Sequence, residues 1–378
     1  LLGRYHTGRP VTASIQPPES RPEHPERTRA WLEVDLSALV ANARTVARAA
    51  GVPLLPMVKA NGYGLGAVAA ARALEALEPW GFGVATLAEA EELRGAGIGR
   101  PVVVFTPWVA GDRSSAGREG IRPVIGDPHS LEEWLKTGDQ RPFHLEIDTG
   151  MSRAGIRWDD HAALQRASAL LADAPGWEGV FSHFHSAESD AGATELQWDR
   201  FLDALHWFPR RPEFVHIANS AGALRHKAFA GDLVRPGIYL YGGSVGEWAP
   251  APRPVAKLQA RVVGLRQLAA GDTVSYNGTW RADAPAVIAT VACGYADGLL
   301  RTGSNRLRAE VNGVVVPITG RITMDMTMLA VPAGAVALGD VVTFFGGRIS
   351  LAEHAEAMGT NAYESLTAIG HRVPRIHR

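Results

Sequence analysis

A single cysteine, Cys293, stands among 378 residues. No intrachain disulfide can form and no cysteine-based zinc cluster can be assembled. That usage suits a reducing compartment, and a cytoplasmic location is expected. Neither sign of charge is in excess. With 38 Lys and Arg against 39 Asp and Glu, the formal net charge is −1, so no bulk electrostatic pull toward nucleic acid or membrane is expected. No apolar run reaches the roughly 18 residues of a membrane span. The opening 30 residues also lack the apolar core of a signal peptide. They are rich in proline and charge, and residues 1–30 read as an irregular arm.

The rest is ordinary for a large globular enzyme, 46% hydrophobic and 20% charged, and the length suits two or three domains. From Trp31 the pattern is regular. A short alternating strand, WLEV, precedes a helix capped by Asp35. Apolar runs then recur between amphipathic segments: LLPMVK (54–59), FGVAT (82–86), VVVFT (102–106), RPVIG (122–126), FHLEID (143–148), GVFSHF (179–184), FVHIA (214–218) and LVRPGIYL (233–240). Strands alternating with helices indicate a parallel sheet. Eight of them suit an α/β fold of the (β/α)8 TIM-like barrel kind over residues 31–254, with an open sheet of seven or nine strands as the alternative. After Pro254 short strands separated by Gly-Asp and Asn-Gly turns dominate, which predicts a mostly β domain over residues 255–378.

Lys59 ends the first barrel run, at the face where barrels carry their sites. Apolar walls would desolvate its amine, lower its pKa and make it a nucleophile. By position alone the commoner reading is a surface lysine just past a strand end. Barrels often bind phosphate with the loops after strands seven and eight. Here those are ANSAG, with Asn219 and Ser220, and the region of Gly237. A phosphate-bearing cofactor reaching a lysine on strand one is a coherent arrangement.

The stretch VKANGYGLG around Lys59 resembles the cofactor-lysine motif of alanine racemases. The resemblance continues in order through DTGMSRAG (148–155), SHF (182–184), HIANSAG (216–222), VRPGIYLYG (234–242), VSYNG (274–278), CGYADG (293–298), GRITMD (320–325), NAYE (361–364) and RVPR (372–375). It covers nearly everything after residue 30. It implies a barrel and a β domain, pyridoxal 5'-phosphate as cofactor, alanine as substrate, D-alanine supplied for peptidoglycan, and a homodimer in which each β domain completes the partner's site.

Carried over residue by residue, the resemblance makes Lys59 the residue that holds the cofactor covalently and the catalytic base on one face. Tyr276 is the base on the other. Tyr63, Asn219, Ser220, Gly237, Ile238 and Tyr363 would hold the cofactor, most of them at its phosphate. Arg235 would face the ring nitrogen, and His183 would join Arg235 to Tyr276. A free phenol ionises near pH 10, so a tyrosine base needs such cationic help. Arg153 would reach the cofactor's phenolic oxygen and the substrate carboxylate, with Met324 and Asp325 from the partner and Tyr295 at the substrate entrance. Three positions depart from the family pattern: Leu65 for a histidine, Thr323 for a cysteine, and Glu146 for a lysine that becomes carbamylated. Glu146 is expected to replace the carbamate and to grip Arg153 as a two-pronged partner.

Other readings are a racemase of serine or another amino acid, a related barrel decarboxylase, and a cofactor-binding protein without turnover. Decarboxylation needs no opposed base, so Tyr276 disfavours it. The pair His183 and His185 matches an HxH metal pattern, but no further ligands can be placed around it, and no metal is expected. Tyr239 and Tyr241 read as packing.

Overall fold

The computed structural model describes residues 28–111, 119–137 and 140–378. The arm lies outside these residues except for its end at Thr28–Ala30. Six strands, Phe82–Val84, Val102–Val104, Ile121–Ile125, Phe143–Asp148, Trp177–Phe181 and Phe214–His216, run parallel in that order. Two further stretches close the ring through isolated bridges, Leu54 with Val234 and Met57 with Gly83. Leu55 N–H donates to the Val234 carbonyl at 2.8 Å and Met57 N–H to that of Pro236 at 2.9 Å. Arg235 N–H joins Ala218 at 2.9 Å. The barrel therefore has eight staves.

The first and last staves are less regular than their apolar runs suggest, and proline accounts for this. Pro53, Pro56 and Pro236 cannot donate to a ladder, so the run 233–240 pairs at Val234 and then breaks into turns. The middle staves are conventional. Phe143–Asp148 is buried at every position, as a parallel strand covered on both faces must be. Helices Leu36–Ala50, Ala67–Leu74, Leu87–Gly95, Pro128–Thr137, His161–Leu171 and Ala191–Leu205 accompany the staves. Asp35 caps the first by accepting from Ala38 N–H at 2.8 Å, and Gly51 ends it at φ 70°.

The second sheet is organised by the 13-residue strand Ala256–Leu268. It pairs antiparallel with Ala30–Val34, Ala286–Val291 and Val341–Phe345. WLEV therefore hydrogen-bonds into the β domain's sheet, although it precedes the barrel in sequence. It also pairs parallel with Arg375–His377, a short strand that the sequence reading did not contain. Among the described residues no helix is long and apolar enough to cross a membrane.

Candidate active site

Lys59 opens a single turn, Lys59–Tyr63, that winds the wrong way. Ala60, Asn61 and Gly62 have φ of 52°, 53° and 61°, and Tyr63 has 55°. Asparagine and glycine tolerate this region, whereas alanine and tyrosine pay roughly 1–2 kcal/mol each. The turn is held from several sides. Gly62 N–H donates to the Val58 carbonyl, and Gly64 N–H to that of Ala60, both at 2.8 Å. Asn61 Oδ1 accepts from Ala67 N–H at 3.0 Å. Glu89 Oε1 accepts from Ala60 N–H at 2.6 Å, while its Oε2 accepts from Ala85 and Thr86 N–H. Burial, followed by the positive charge of Arg153, lowers the pKa of Lys59, which favours the nucleophilic free amine.

Lys59 lines a cavity of about 640 Å³ with Tyr63, Glu146, Arg153, His183, Asn219, Ser220, Arg235, Gly237, Ile238 and Tyr363. This volume is within the range of small-molecule sites. Ten positions that the resemblance marks thus share one concavity with Lys59. Arg235 is buried and fixed on several sides. Its Nη2 donates to the Ser182 carbonyl at 2.6 Å, to that of Ile217 at 3.2 Å and to His183 Nδ1 at 3.2 Å. Its Nη1 donates to His216 Nδ1 at 2.6 Å. The guanidinium also lies over the Phe181 ring, 5.0 Å from the centroid. Burial lowers its pKa to about 9, so it remains a cation at neutral pH. Burial and Arg235 drive His183 well below its ordinary value, so this imidazole is neutral.

The wall formed by Tyr63, Ser220 and Gly237 suits a phosphate group. Ser220 Oγ accepts from Gly237 N–H at 2.9 Å, which leaves its own proton to donate. A Cβ at Gly237 would lie 2.1 Å from Tyr63 Oη, so only glycine lets the tyrosine hydroxyl approach the backbone. Tyr63 stacks on Tyr241 with ring centroids 4.6 Å apart, and Tyr241 Oη donates to the Met57 carbonyl at 2.9 Å. Tyr241 therefore braces the cavity wall that carries Tyr63, in addition to packing. Arg153 and Arg235 supply positive charge around the space. The donors and the glycine cradle fit an anionic, phosphate-bearing cofactor held at Lys59.

Glu146 departs from expectation. It is only 5% exposed and shares the cavity with Arg153. The two-pronged pair is not formed, and Glu146 Oε2 is buried without a hydrogen-bond partner. Glutamate is several bonds shorter than a carbamylated lysine, so Arg153 acts on it through space. Burial raises its carboxyl to about 7, with Arg153 and Arg235 opposing.

Tyr276, Tyr295, Met324 and Asp325 are not among the residues lining the Lys59 cavity. They are exposed on the β domain, Tyr276 at 67%. Their loops are locked together. Ser275 Oγ donates to the Arg321 carbonyl at 2.7 Å, and Tyr295 and Ala296 N–H donate to the Thr323 and Met324 carbonyls. Arg372 bridges Asp297 at 2.6 Å and Asp325 at 2.7 Å. Thr323 Oγ closes a turn on Met326, donating to its carbonyl at 2.9 Å. Leu65 is buried in the core. Both departures thus have structural roles within this chain.

His185 Nδ1 pairs with Ser186 Oγ at 2.6 Å. Among the described residues no group of three or more metal-ligating side chains is placed to hold a metal ion. The sequence reading missed Glu89, whose signal was its place as the last residue of a Thr-x-x-Glu capping box, the third residue of its helix. It also missed Glu188, which accepts from Tyr363 Oη at 3.0 Å and lines the cavity. No local pattern marks that residue.

Two family models match: "Alanine racemase, N-terminal domain" over residues 34–245 and "Alanine racemase, C-terminal domain" over residues 255–377. The alanine racemase of Acidiphilium cryptum is 38% identical over 351 residues, 91% of this chain and 98% of that protein. The structure of alanine racemase from Bacillus anthracis with bound L-Ala-P superposes with a TM-score of 0.85 at 36% identity, covering 93% of this chain and 95% of the other. That from Bartonella henselae, with covalently bound pyridoxal phosphate, gives 0.87 at 30% identity, covering 93% and 100%.

Proposed function

This chain belongs to the alanine racemase family, and from that membership we propose the division of labour by which its residues interconvert L- and D-alanine on pyridoxal phosphate. The observation that carries the reading is the convergence of Lys59, Arg235, His183 and the Ser220–Gly237 cradle on one cavity. When bound, the cofactor supplies an electron sink that acidifies the substrate's α-proton. Lys59 holds the cofactor, and Lys59 Nζ then takes or returns the proton on one face. Tyr63, Ser220, Gly237, Ile238 and Tyr363 bind the phosphate, with Asn219 capping the short helix that presents Ser220. Arg235 donates to the ring nitrogen and keeps it unprotonated, which limits escape into transamination. Arg153 orients the substrate carboxylate, and Glu146 balances it through space, so no carbamate is needed.

The second base is Tyr276 Oη, contributed by a second copy of the chain together with Met324, Asp325 and Tyr295. The support is the exposure of these residues on interlocked loops, outside the Lys59 cavity of their own chain. A homodimer with shared sites follows. The lone buried cysteine agrees with a cytoplasmic enzyme, and D-alanine for peptidoglycan is the family's product. Chiral chromatography after incubation with pyridoxal phosphate and L-alanine tests the reading. Approach to equal amounts of both enantiomers is expected. Release of carbon dioxide and an amine would indicate a decarboxylase, and unchanged L-alanine a binding protein. Faster turnover of serine or a longer amino acid than of alanine would overturn the substrate assignment.

A further inference from the structure

Behind Arg235 runs a line of buried polar groups that the reaction does not use. Arg235 Nη1 contacts His216 Nδ1 at 2.6 Å, and His216 Nε2 contacts His144 Nδ1 at 2.9 Å. His144 Nε2 contacts Glu178 Oε2 at 3.2 Å. Arg122 closes the line, with Nε donating to Glu178 Oε2 at 3.1 Å and Nη2 to Oε1 at 3.2 Å. His144 and Glu178 are each the second residue of a barrel strand. The line therefore leads from the cavity toward the strands' N-terminal ends.

We propose that His144 and Glu178 are positioning residues for Arg235, acting through His216 to hold its guanidinium in one orientation at the cavity. This rests on the reading of Arg235 as the partner of the cofactor's ring nitrogen.

The chemistry of the ends dictates the order of the protons. Arginine only donates, and an ionised carboxylate only accepts. Both imidazoles are completely buried and neutral, since burial lowers both their pKa values. Each then has one donor and one acceptor. His216 must accept at Nδ1 and so donates from Nε2. His144 must accept at Nδ1 and donates from Nε2 to Glu178. Only this arrangement satisfies all three contacts. Burial would raise the Glu178 carboxyl, but hydrogen bonds from His144 and Arg122 bring it below its ordinary value, so it remains an acceptor.

The neighbours are shaped to this line. A Cβ at Gly179 would lie 2.6 Å from His144 Nδ1, so glycine makes room for the ring. Phe181 stacks on His216 with centroids 5.1 Å apart and planes 14° apart, and the same ring lies under Arg235. A planar, rigid guanidinium whose Nη1 and Nη2 both have fixed partners cannot turn without breaking several contacts. Without His144, the His216 Nε2–H would be buried with no acceptor. Rotation of His216 to find one would release Arg235 Nη1.

The test compares His144→Leu, which fills space but has neither polar function, with His144→Gln, which keeps an acceptor and a donor. In wild-type protein without cofactor, ¹⁵N NMR of labelled histidine should show His144 and His216 both protonated at Nε2 only. In the loaded enzyme His144→Leu should lower kcat about tenfold, the loss expected of one buried hydrogen bond, with KM little changed. A larger share of its turnovers should end in pyruvate, the alanine amino group having passed to the cofactor's aldehyde carbon. His144→Gln should recover most of both. A His216 protonated at Nδ1 in wild-type protein would overturn the proposal, even if His144→Leu fails to fold. Wild-type kcat and pyruvate yield from His144→Leu would overturn it too, provided that Arg235→Lys shifts that yield. If Arg235→Lys leaves the yield unchanged, the reading of Arg235 fails, and the NMR result alone decides the proton order.

Discussion

Glu89 Oε1 lies 2.6 Å from the amide nitrogen of Ala60, one residue past Lys59. The same carboxylate accepts from two amides at the start of its own helix. It thereby ties the left-handed turn that presents Lys59 to the neighbouring barrel unit. Glu89→Ala should cost roughly 1–2 kcal/mol in stability as a lost cap and should loosen Lys59. Equilibrium urea unfolding measures the first effect. Cofactor release on dialysis, followed by absorbance, measures the second. Retention of the cofactor as tight as in wild type would show that the turn holds without this clasp.

Gly237 faces Tyr63 so closely that an added methyl group would sit 2.1 Å from the tyrosine hydroxyl. Gly237→Ala should push Tyr63 away and weaken pyridoxal phosphate binding about tenfold or more, the value of one charge-assisted hydrogen bond. Binding of pyridoxal, which lacks the phosphate, should change little. Equal losses for both ligands in fluorescence titrations would place the phosphate elsewhere.

Glu146 gives a pH signature. Its carboxyl is raised to about 7 by burial, against the opposing charges of Arg153 and Arg235. Between the ordinary glutamate range and that value, the folded chain holds a proton that the unfolded chain has released. The group's contribution to stability is therefore fully present below about pH 4.5 and is lost as pH rises through 7. Glu146→Gln resembles the protonated form at every pH. In cofactor-free protein it should gain on wild type between pH 5 and pH 8 by up to about 3 kcal/mol. Parallel stability curves from urea unfolding would show that the carboxyl is not desolvated.

Much of this was legible in the sequence because the informative residues sit at chain landmarks. Lys59 ends one apolar run, Ser220 follows another and Gly237 lies within the last, so the rule that barrel sites gather at strand ends brings the three together from sequence alone. The Phe143–Asp148 strand matched its run because nothing in it interrupts the ladder. Where proline intervenes, as in the stretches 53–56 and 233–240, hydrophobicity alone overstated the strands. WLEV pairs with segments more than 200 residues away, which no local pattern can convey. The same limit hid the Glu146–Arg153 geometry. The residue types suggested a pair, but side-chain reach decides whether one forms. Glu188, His144 and Glu178 acquire meaning only from partners on other elements.

Shared sites make a prediction about mixtures. Lys59→Ala and Tyr276→Phe subunits should each be nearly inactive alone. In a mixed dimer one site has both wild-type residues, so remixing should restore up to about half the activity per heterodimer. Size-exclusion chromatography with differently tagged subunits confirms exchange. Proven heterodimers with no recovered activity would exclude the sharing of Lys59 and Tyr276 between chains.

The central claim is that two opposed bases, Lys59 Nζ and Tyr276 Oη, move the proton. It is tested most directly by measuring α-hydrogen exchange into D2O from L-alanine and from D-alanine separately, in wild type and in Tyr276→Phe. Tyr276→Phe should slow exchange from L-alanine by about 10²-fold or more, the usual contribution of a positioned base. Exchange from D-alanine, served by Lys59, should suffer much less. Equal slowing of the two enantiomers, or none for either, would contradict the two-base account.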